Sequence, residues 1–403
     1  MAKRFYITAR RGCPRRTLDA GRAVLYLEAN GWKPAEEPEN ADLLLVYTCG
    51  GFPSSEDRSL RTLERFRLER KPDAELVATG CLLRIHPEAL HASGYHEILP
   101  EELERLDGII GARIPWAAIP DANVPRSVRD LEPLTPGDRP PESRRARLGR
   151  RIARAARRSA AEPRRPVSLF GGDAFLIRIA TGCRGRCSYC AIRIGAGPLR
   201  SKPPEKILAE FRKGLDAGRR RFVLIAEDTG CYGFDLGTDL AALLERLLAE
   251  PGEYGILVND LNPAHFLSMF DRLLPLFRDH TDRFETIILP VQSGSDRILE
   301  KMRREYRAGD LADRLRELFA AAPGIRVSTH VLVGFPGETM EDLEKTRLFL
   351  ESIPFHRIGV YCYQERSGVE AFAIDGKVPF EESRARAEIL KRMGTNVSGP
   401  FEP

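Results

Sequence analysis

The chain has 403 residues, 42% hydrophobic and 30% charged, a balance that describes a globular protein with material for two or three domains. No apolar run is long enough for a transmembrane helix, and the start, MAKRFYITARRGC, has no apolar signal-peptide core, so a cytoplasmic protein without membrane contact is expected. The positive net charge is a local effect: residues 139–166 hold eleven arginines against two glutamates, while the rest carries 52 basic against 56 acidic side chains.

The first third alternates strand and helix. RFYITA (4–9) reads as a strand, LDAGRAVLYLEAN (18–30) as a helix ended by Gly31, and the apolar run ADLLLVYT (41–48) as a buried parallel strand. EDRSLRTLERFRLER (56–70) reads as a helix, AELVAT (74–79) as a third strand, and PEALHAS (87–93) as the start of another helix. This order predicts an α/β domain over 1–122, a small doubly wound parallel sheet. Residues 123–170, rich in Pro and Arg, read as a linker whose stretch 143–161 has helical spacing.

A second series begins at FLIRIA (175–180) and continues through FVLIA (222–226), GILVN (255–259), TIILPV (286–291), IRVSTHVLV (325–333) and RIGVYCY (357–363). Helices fit between them: KILAEFRKGL (206–215) and LADRLRELFAA (311–321) each carry one apolar face, and Thr339 offers an N-cap to TMEDLEK (339–345). Six βα units predict an open (β/α)6 partial TIM barrel over 171–378, with the strand C-terminal ends on one rim. Residues 379–403 are too few for a further domain and are expected as a tail.

Eight cysteines in a chain of this length are not a disulfide framework, and clustered thiols point instead to metal or catalysis. CRGRCSYC (183–190) places Cys183, Cys187 and Cys190 on one loop after the first barrel strand. Three thiolates hold three irons of a [4Fe–4S] cluster and leave the fourth open to bind a substrate or cofactor. The alternative, structural zinc, asks for a second cysteine or histidine pair, which the sequence lacks.

Cys13, Cys49 and Cys81 form a second set. Each follows one N-terminal strand, in YITARRGC, VYTCGG and VATGC. A parallel sheet gathers its strand ends on one edge, where ligands bind. Glycines beside them (Gly12, Gly50 and Gly51, Gly80) allow tight turns and close backbone approach. A buried cysteine is often simply a small hydrophobe, but three at equivalent strand ends point to a second cluster with one open iron.

The spacing C-x3-C-x2-C, with Tyr189 before the last cysteine, resembles the radical SAM superfamily. The resemblance implies that Cys183, Cys187 and Cys190 bind a cluster whose open iron chelates S-adenosylmethionine, which is cleaved to a 5′-deoxyadenosyl radical, and that Tyr189 packs near the adenine. GCPRRTLDA, ADLLLVYTCGGFPSSEDRSL, VATGC, IATGCRGRCSYCAIRIGAGPLRSKP, VLIAEDTGCYGFDLG, LPVQSGSDRILEKMRREY and VSTHVLVGFPGETMEDL together resemble the methylthiotransferases, over residues 4–390 apart from the linker. That family inserts a methylthio group into an unactivated C–H bond with two [4Fe–4S] clusters. Its sulfur sits on the open iron of the N-terminal one, here expected on Cys13, Cys49 and Cys81.

The rim positions expected to hold S-adenosylmethionine are Glu227 and Asp228 after the second strand, Gln292 and Ser293 after the fourth, and Gly334 to Glu338 after the fifth. Arg303 is the candidate for its carboxylate. Capping a loop or helix is the competing role for each. Cys231 reads as a bystander thiol, Cys362 as core and His330 as a hydrogen-bonded barrel residue.

Family members act on tRNA, at the adenosine beside the anticodon, or on an aspartate of a small-subunit ribosomal protein. Both kinds usually carry a C-terminal TRAM barrel, which is not expected here. The N-terminal motifs and IAEDTGCYG resemble the ribosomal-protein branch, and LPVQSGSD the tRNA branch. The expected substrate is therefore a polypeptide, a ribosomal protein or a precursor peptide, with tRNA as the alternative through phosphate contacts of the arginine run. A reductant such as flavodoxin or ferredoxin is expected as partner. The competing readings are another two-cluster radical enzyme with different sulfur chemistry, and a non-enzymatic iron–sulfur sensor.

Overall fold

The computed structural model describes residues 2–10, 13–90, 94–124, 128–129, 131, 170, 173–394 and 396–401. The arginine-rich segment 139–166 and Gly12 lie outside the described residues.

In the N-terminal part, β1 (Arg4–Ala9), β2 (Lys33–Pro34), β3 (Leu43–Thr48), β4 (Glu75–Gly80) and β5 (His96–Glu97) form a parallel sheet in the order β2-β1-β3-β4-β5. Helix α1 (Pro14–Ala29) covers one face and α2 (Pro53–Glu69) the other. Alternation along the strands divides the apolar run between them. Ile7, Leu45, Tyr47 and Val77 pack with Tyr26 and Leu27, whereas Tyr6, Leu44, Val46, Leu76 and Ala78 pack with Leu63 and Phe66. The sheet order reverses between β1 and β3. Beyond the carboxyl ends of such a pair a doubly wound sheet opens its ligand crevice.

Short helices α3 (Leu82–Ile85) and α4 (Leu106–Ile110) complete this part. The second sheet is also parallel. It runs β6 (Phe175–Arg178), β9 (Arg221–Ile225), β10 (Gly255–Val258), β11 (Phe284–Gln292), β12 (Val327–Val333), β13 (Arg357–Cys362) and β14 (Val397–Phe401), in that spatial order. Among the described residues β6 and β14 do not pair, so the barrel stays open. Strand β14 is one more than the six expected. The segment expected as a tail supplies a helix, Phe380–Lys391, and this edge strand, in which Val397 registers with Ile358.

The helices pack their apolar faces on the sheet, as in Pro204–Asp216, where Ile207, Leu208 and Phe211 are buried. Thr339 caps Met340–Glu351 in a capping box with Asp342. His330 stacks edge-on with Tyr361, their ring centres 5.3 Å apart, and Cys362 lies in the core. No helix among the described residues is long and apolar enough to cross a membrane.

Candidate active site

The loop 183–190 is pinched at its base. Strand β7 (Ala180–Thr181) pairs antiparallel with β8 (Arg200–Ser201), so the chain leaves the barrel and returns to the same place. Gly182 turns the chain into the loop with φ +80°, and a Cβ there would stand 2.0 Å from the Pro198 carbonyl oxygen. Inside the loop the Gly185 amide donates to Cys183 Sγ at 3.2 Å. A Cβ on Gly185 would lie 3.2 Å from that sulfur and 3.9 Å from Cys187 Sγ, so the glycine keeps the concave side open.

Ser188 anchors the loop's far side. Its hydroxyl donates to the Lys301 carbonyl at 2.8 Å and its amide to that of Met302 at 3.1 Å. Tyr189 packs edge-on against Phe335 of the GFPGE segment, ring centres 6.5 Å apart. All three thiols are part-exposed, whereas Cys231 and Cys362 are buried. Burial, with the neighbouring thiols, pushes Cys190 up to about 11. Cys231 is buried, its thiol donating to the Asp228 carbonyl at 3.2 Å.

The second triad lies on the reversal edge of the N-terminal sheet. Cys13 follows β1 and precedes α1, Cys49 follows β3, and Cys81 follows β4. Gly80, with φ +117°, has no room for a side chain, since its Cβ would stand 2.2 Å from the Thr48 carbonyl oxygen. Ser59 fixes Cys49 by accepting its amide at 2.8 Å. Burial raises the Cys49 thiol, and nearby Cys81 and Cys13 raise it further. These three thiols are part-exposed as well.

The two triads are brought together by the helices that follow them. The helix that follows Cys190, α5 (Ile192–Ala196), packs on α3, and its Gly195 lies directly against Cys81. Arg15, at the start of α1, reaches the barrel rim: it donates to the Ala226 carbonyl at 2.9 Å and stands 3.3 Å from Glu227. Arg178 of β6 returns the contact, donating to the Arg15 carbonyl at 2.7 Å and pairing with Asp19 at 2.6 Å. The N-terminal sheet edge thus sits over the barrel rim.

The other expected rim residues divide. Glu227 is part-buried, with its Oε2 covered and without a hydrogen-bond partner. Gln292 ends β11 in the left-handed region, φ +67°. The remainder are committed elsewhere. Asp228 accepts the amides of Gly230 at 2.9 Å and Asn262 at 3.2 Å, which makes it a loop cap. Ser293 shares its hydroxyl with Thr346 and accepts the Ser295 amide at 3.1 Å. Gly334 turns at φ +75° against Ser383. Glu338 accepts the Gly334 amide at 2.7 Å and pairs with buried Arg386 at 2.8 Å. Burial raises its carboxyl despite that arginine.

Arg303 is half-exposed and pairs with Glu370 at 2.5 Å. Its neighbour Arg304 takes the inward position, with Nη1 donating to Cys187 Sγ at 3.4 Å and Nη2 to the Pro290 carbonyl at 2.8 Å. The cause is local. The preceding helix ends at Lys301, and Arg303 adopts the left-handed conformation, φ +54°, that turns the next residue back. Arg16 likewise donates to Cys81 Sγ at 3.2 Å. Neither contact is visible from spacing, although the doubled arginines in both motifs mark the places.

The donor set fits iron–sulfur clusters: two sets of three part-exposed thiols, each with a glycine at a sulfur and amide or guanidinium donors to sulfur. Among the described residues no three His, Cys, Asp or Glu side chains converge closely enough to hold a single ion. A cluster, with one thiolate per iron, does not require it.

Residues 177–350 match the model of the radical SAM superfamily, and residues 4–99 that of uncharacterized protein family UPF0004. A ribosomal protein uS12 methylthiotransferase RimO of Acidothermus cellulolyticus is 32% identical, covering 98% of this chain and 81% of its own. A probable threonylcarbamoyladenosine tRNA methylthiotransferase of Pyrococcus horikoshii is 28% identical, covering 96% and 83%. The fold is similar to that of the radical S-adenosylmethionine methyltransferase TsrM from Kitasatospora setae, with TM-score 0.57 and 14% identity over 92% of this chain and 77% of that one. With both cysteine triads on facing edges and relatives matched along almost the whole chain, this protein belongs to the radical SAM methylthiotransferase family.

Proposed function

We propose that this methylthiotransferase modifies an unactivated C–H bond on a side chain of a protein or peptide, a ribosomal protein or a precursor peptide. Cys183, Cys187 and Cys190 would hold the [4Fe–4S] cluster that binds S-adenosylmethionine, and Cys13, Cys49 and Cys81 the second. Together these groups supply the radical and the sulfur. The observation that carries the reading is the packing of Gly195, just after the first triad, directly against Cys81 of the second.

The chain's own residues position and exclude. The β7–β8 ribbon and Ser188 hold the first thiol loop in shape before any cofactor arrives. Glu227 offers one unpartnered buried oxygen as acceptor for the hydroxyls or ammonium of S-adenosylmethionine, with Tyr189 and Gln292 beside the same rim. Arg15 neutralises Glu227 in part and closes the rim against water from the N-terminal side. Ser293, Gly334 and Glu338 shape the loops, and Arg303 stands at the edge. A flavodoxin or ferredoxin would deliver the electron, and the cytoplasm is the expected compartment.

The uS12 relative's name supports a polypeptide substrate. The tRNA relative and the eleven arginines of 139–166 support tRNA as the second reading. Mass spectrometry on a deletion strain and its parent separates them, comparing ribosomal proteins, small peptides and digested tRNA nucleosides. Loss of a methylthio group from a protein or peptide is expected. Loss from a nucleoside alone would overturn the polypeptide reading.

A further inference from the structure

Arg15 and Arg16 are neighbours on the first turn of α1, and the helical step of about 100° sends them in different directions. Arg15 goes to the barrel rim. Arg16, 8% exposed, goes to the thiol edge, where Nη2 donates to Cys81 Sγ at 3.2 Å. Its Nη1 donates to Asp19 Oδ2 at 2.7 Å, one turn along the helix. Asp19 also receives Arg178 of β6 at 2.6 Å, and its backbone carbonyl accepts the Tyr47 hydroxyl at 3.1 Å. One largely covered carboxylate therefore stands between the guanidiniums of buried Arg16 and part-buried Arg178. The donor to the Cys81 sulfur is therefore cationic and fixed in direction.

We infer that Arg16 is a positioning residue for the N-terminal cysteine triad, whose N–H···S hydrogen bond orients Cys81 and raises the reduction potential of the cluster that the triad binds. The inference rests on the assignment of Cys13, Cys49 and Cys81 as ligands. Adding an electron makes a thiolate-held cluster more negative, and a cationic donor on a ligand sulfur favours that state. Arg16 is buried, so counterions screen its effect less than they would at a surface. A guanidinium serving only to dock the domains through Asp19 would leave the potential unmoved.

The test uses the full-length protein carrying Cys183→Ala, Cys187→Ala and Cys190→Ala, so that only the N-terminal cluster loads on anaerobic reconstitution. Iron and sulfide content establish loading, and an electron paramagnetic resonance redox titration gives the midpoint. Absence of iron in this parent would remove the ligand assignment itself, a different failure. With the parent loaded, Arg16→Gln is expected to keep the cluster and shift the midpoint downward, with Arg16→Lys between the two. A parental midpoint in Arg16→Gln overturns the inference. If Arg16→Gln fails to load, Arg16→Lys decides by the same criterion. If neither loads, Asp19→Asn is read instead: removing the counter-charge should raise the midpoint, and an unchanged value overturns the inference.

Discussion

Gly195 and Cys81 are in direct contact across the two halves of the chain: a Cβ on the glycine would stand 2.7 Å from that of the cysteine and 3.1 Å from its carbonyl oxygen. The contact sets the separation of the two thiol loops, because α5 follows Cys190 immediately. Gly195→Ala is expected to force them apart by roughly 1 Å, since 2.7 Å falls well short of an ordinary contact of 3.4–4 Å. Chemistry that joins two cofactors is sensitive to such a displacement, and a 1 Å misplacement costs about 100-fold. The variant should still produce 5′-deoxyadenosine but lose methylthio product by about that factor. Product formation at the parental rate would show that the contact is incidental.

The two triads should separate by readout. Replacing Cys183, Cys187 and Cys190 by Ala is expected to abolish 5′-deoxyadenosine. Replacing Cys13, Cys49 and Cys81 should leave it in place and abolish the methylthio product. Iron analysis on each should give roughly half the parental content. Full iron in either variant would mean that those cysteines are not ligands.

Gly80 and Gly182 stand immediately before Cys81 and Cys183, both with positive φ and with a carbonyl oxygen where a methyl group would go. Alanine at either costs about 1–2 kcal/mol for the backbone alone, before the clash. Gly182→Ala should lose the barrel cluster and Gly80→Ala the N-terminal one. Measured iron, compared with the cysteine variants, identifies which loop has failed.

Asp342 offers a pH test away from the thiols. Burial pushes its carboxyl up, but hydrogen bonds from Arg297, Ser295 and Thr339 outweigh this and hold it well below the ordinary carboxylate range. A depressed folded-state pKa gives stability that is present above the unfolded carboxylate range and is lost as pH falls toward the folded value. Asp342→Asn should therefore cost about 1–2 kcal/mol near neutrality, with the difference from the parent shrinking in acid. Denaturant melts at several pH values measure it, and a pH-independent difference would refute the assignment.

Asp19 is expected to be the most sensitive carboxylate at the domain boundary. Asp19→Asn leaves buried Arg16 and part-buried Arg178 without the carboxylate between them, a loss of up to about 3 kcal/mol, the lower end for a broken buried pair. Thermal unfolding should report it. A shift no larger than that of an exposed pair such as Arg314 with Glu317 would mean that water reaches the cluster of charges.

The parts legible in the sequence are those that local pattern dictates. The apolar run of β3, the strand-end placement of both triads and the barrel's six strands all follow from periodicity and turn chemistry. What was hidden depends on long-range geometry. Arg304 rather than Arg303 meets Cys187 because one residue adopts a positive φ. Glu338 looks free in GFPGE, yet its partner Arg386 is 48 residues away. The last strand carries Gly-Pro in NVSGPF, inside the stretch expected as a tail, a composition that sheets accept only at an edge, where β14 lies.

The line Cys81–Arg16–Asp19–Arg178 crosses from one half of the chain to the other, and Arg178 lies five residues before Cys183. The halves are therefore not exchangeable modules. A graft of this N-terminal sheet onto a related barrel would succeed only where a cation stands ready for Asp19, and a change at either end of the line would have to be matched at the other. Among relatives, positions 16, 19 and 178 should vary together, as a set inherited whole.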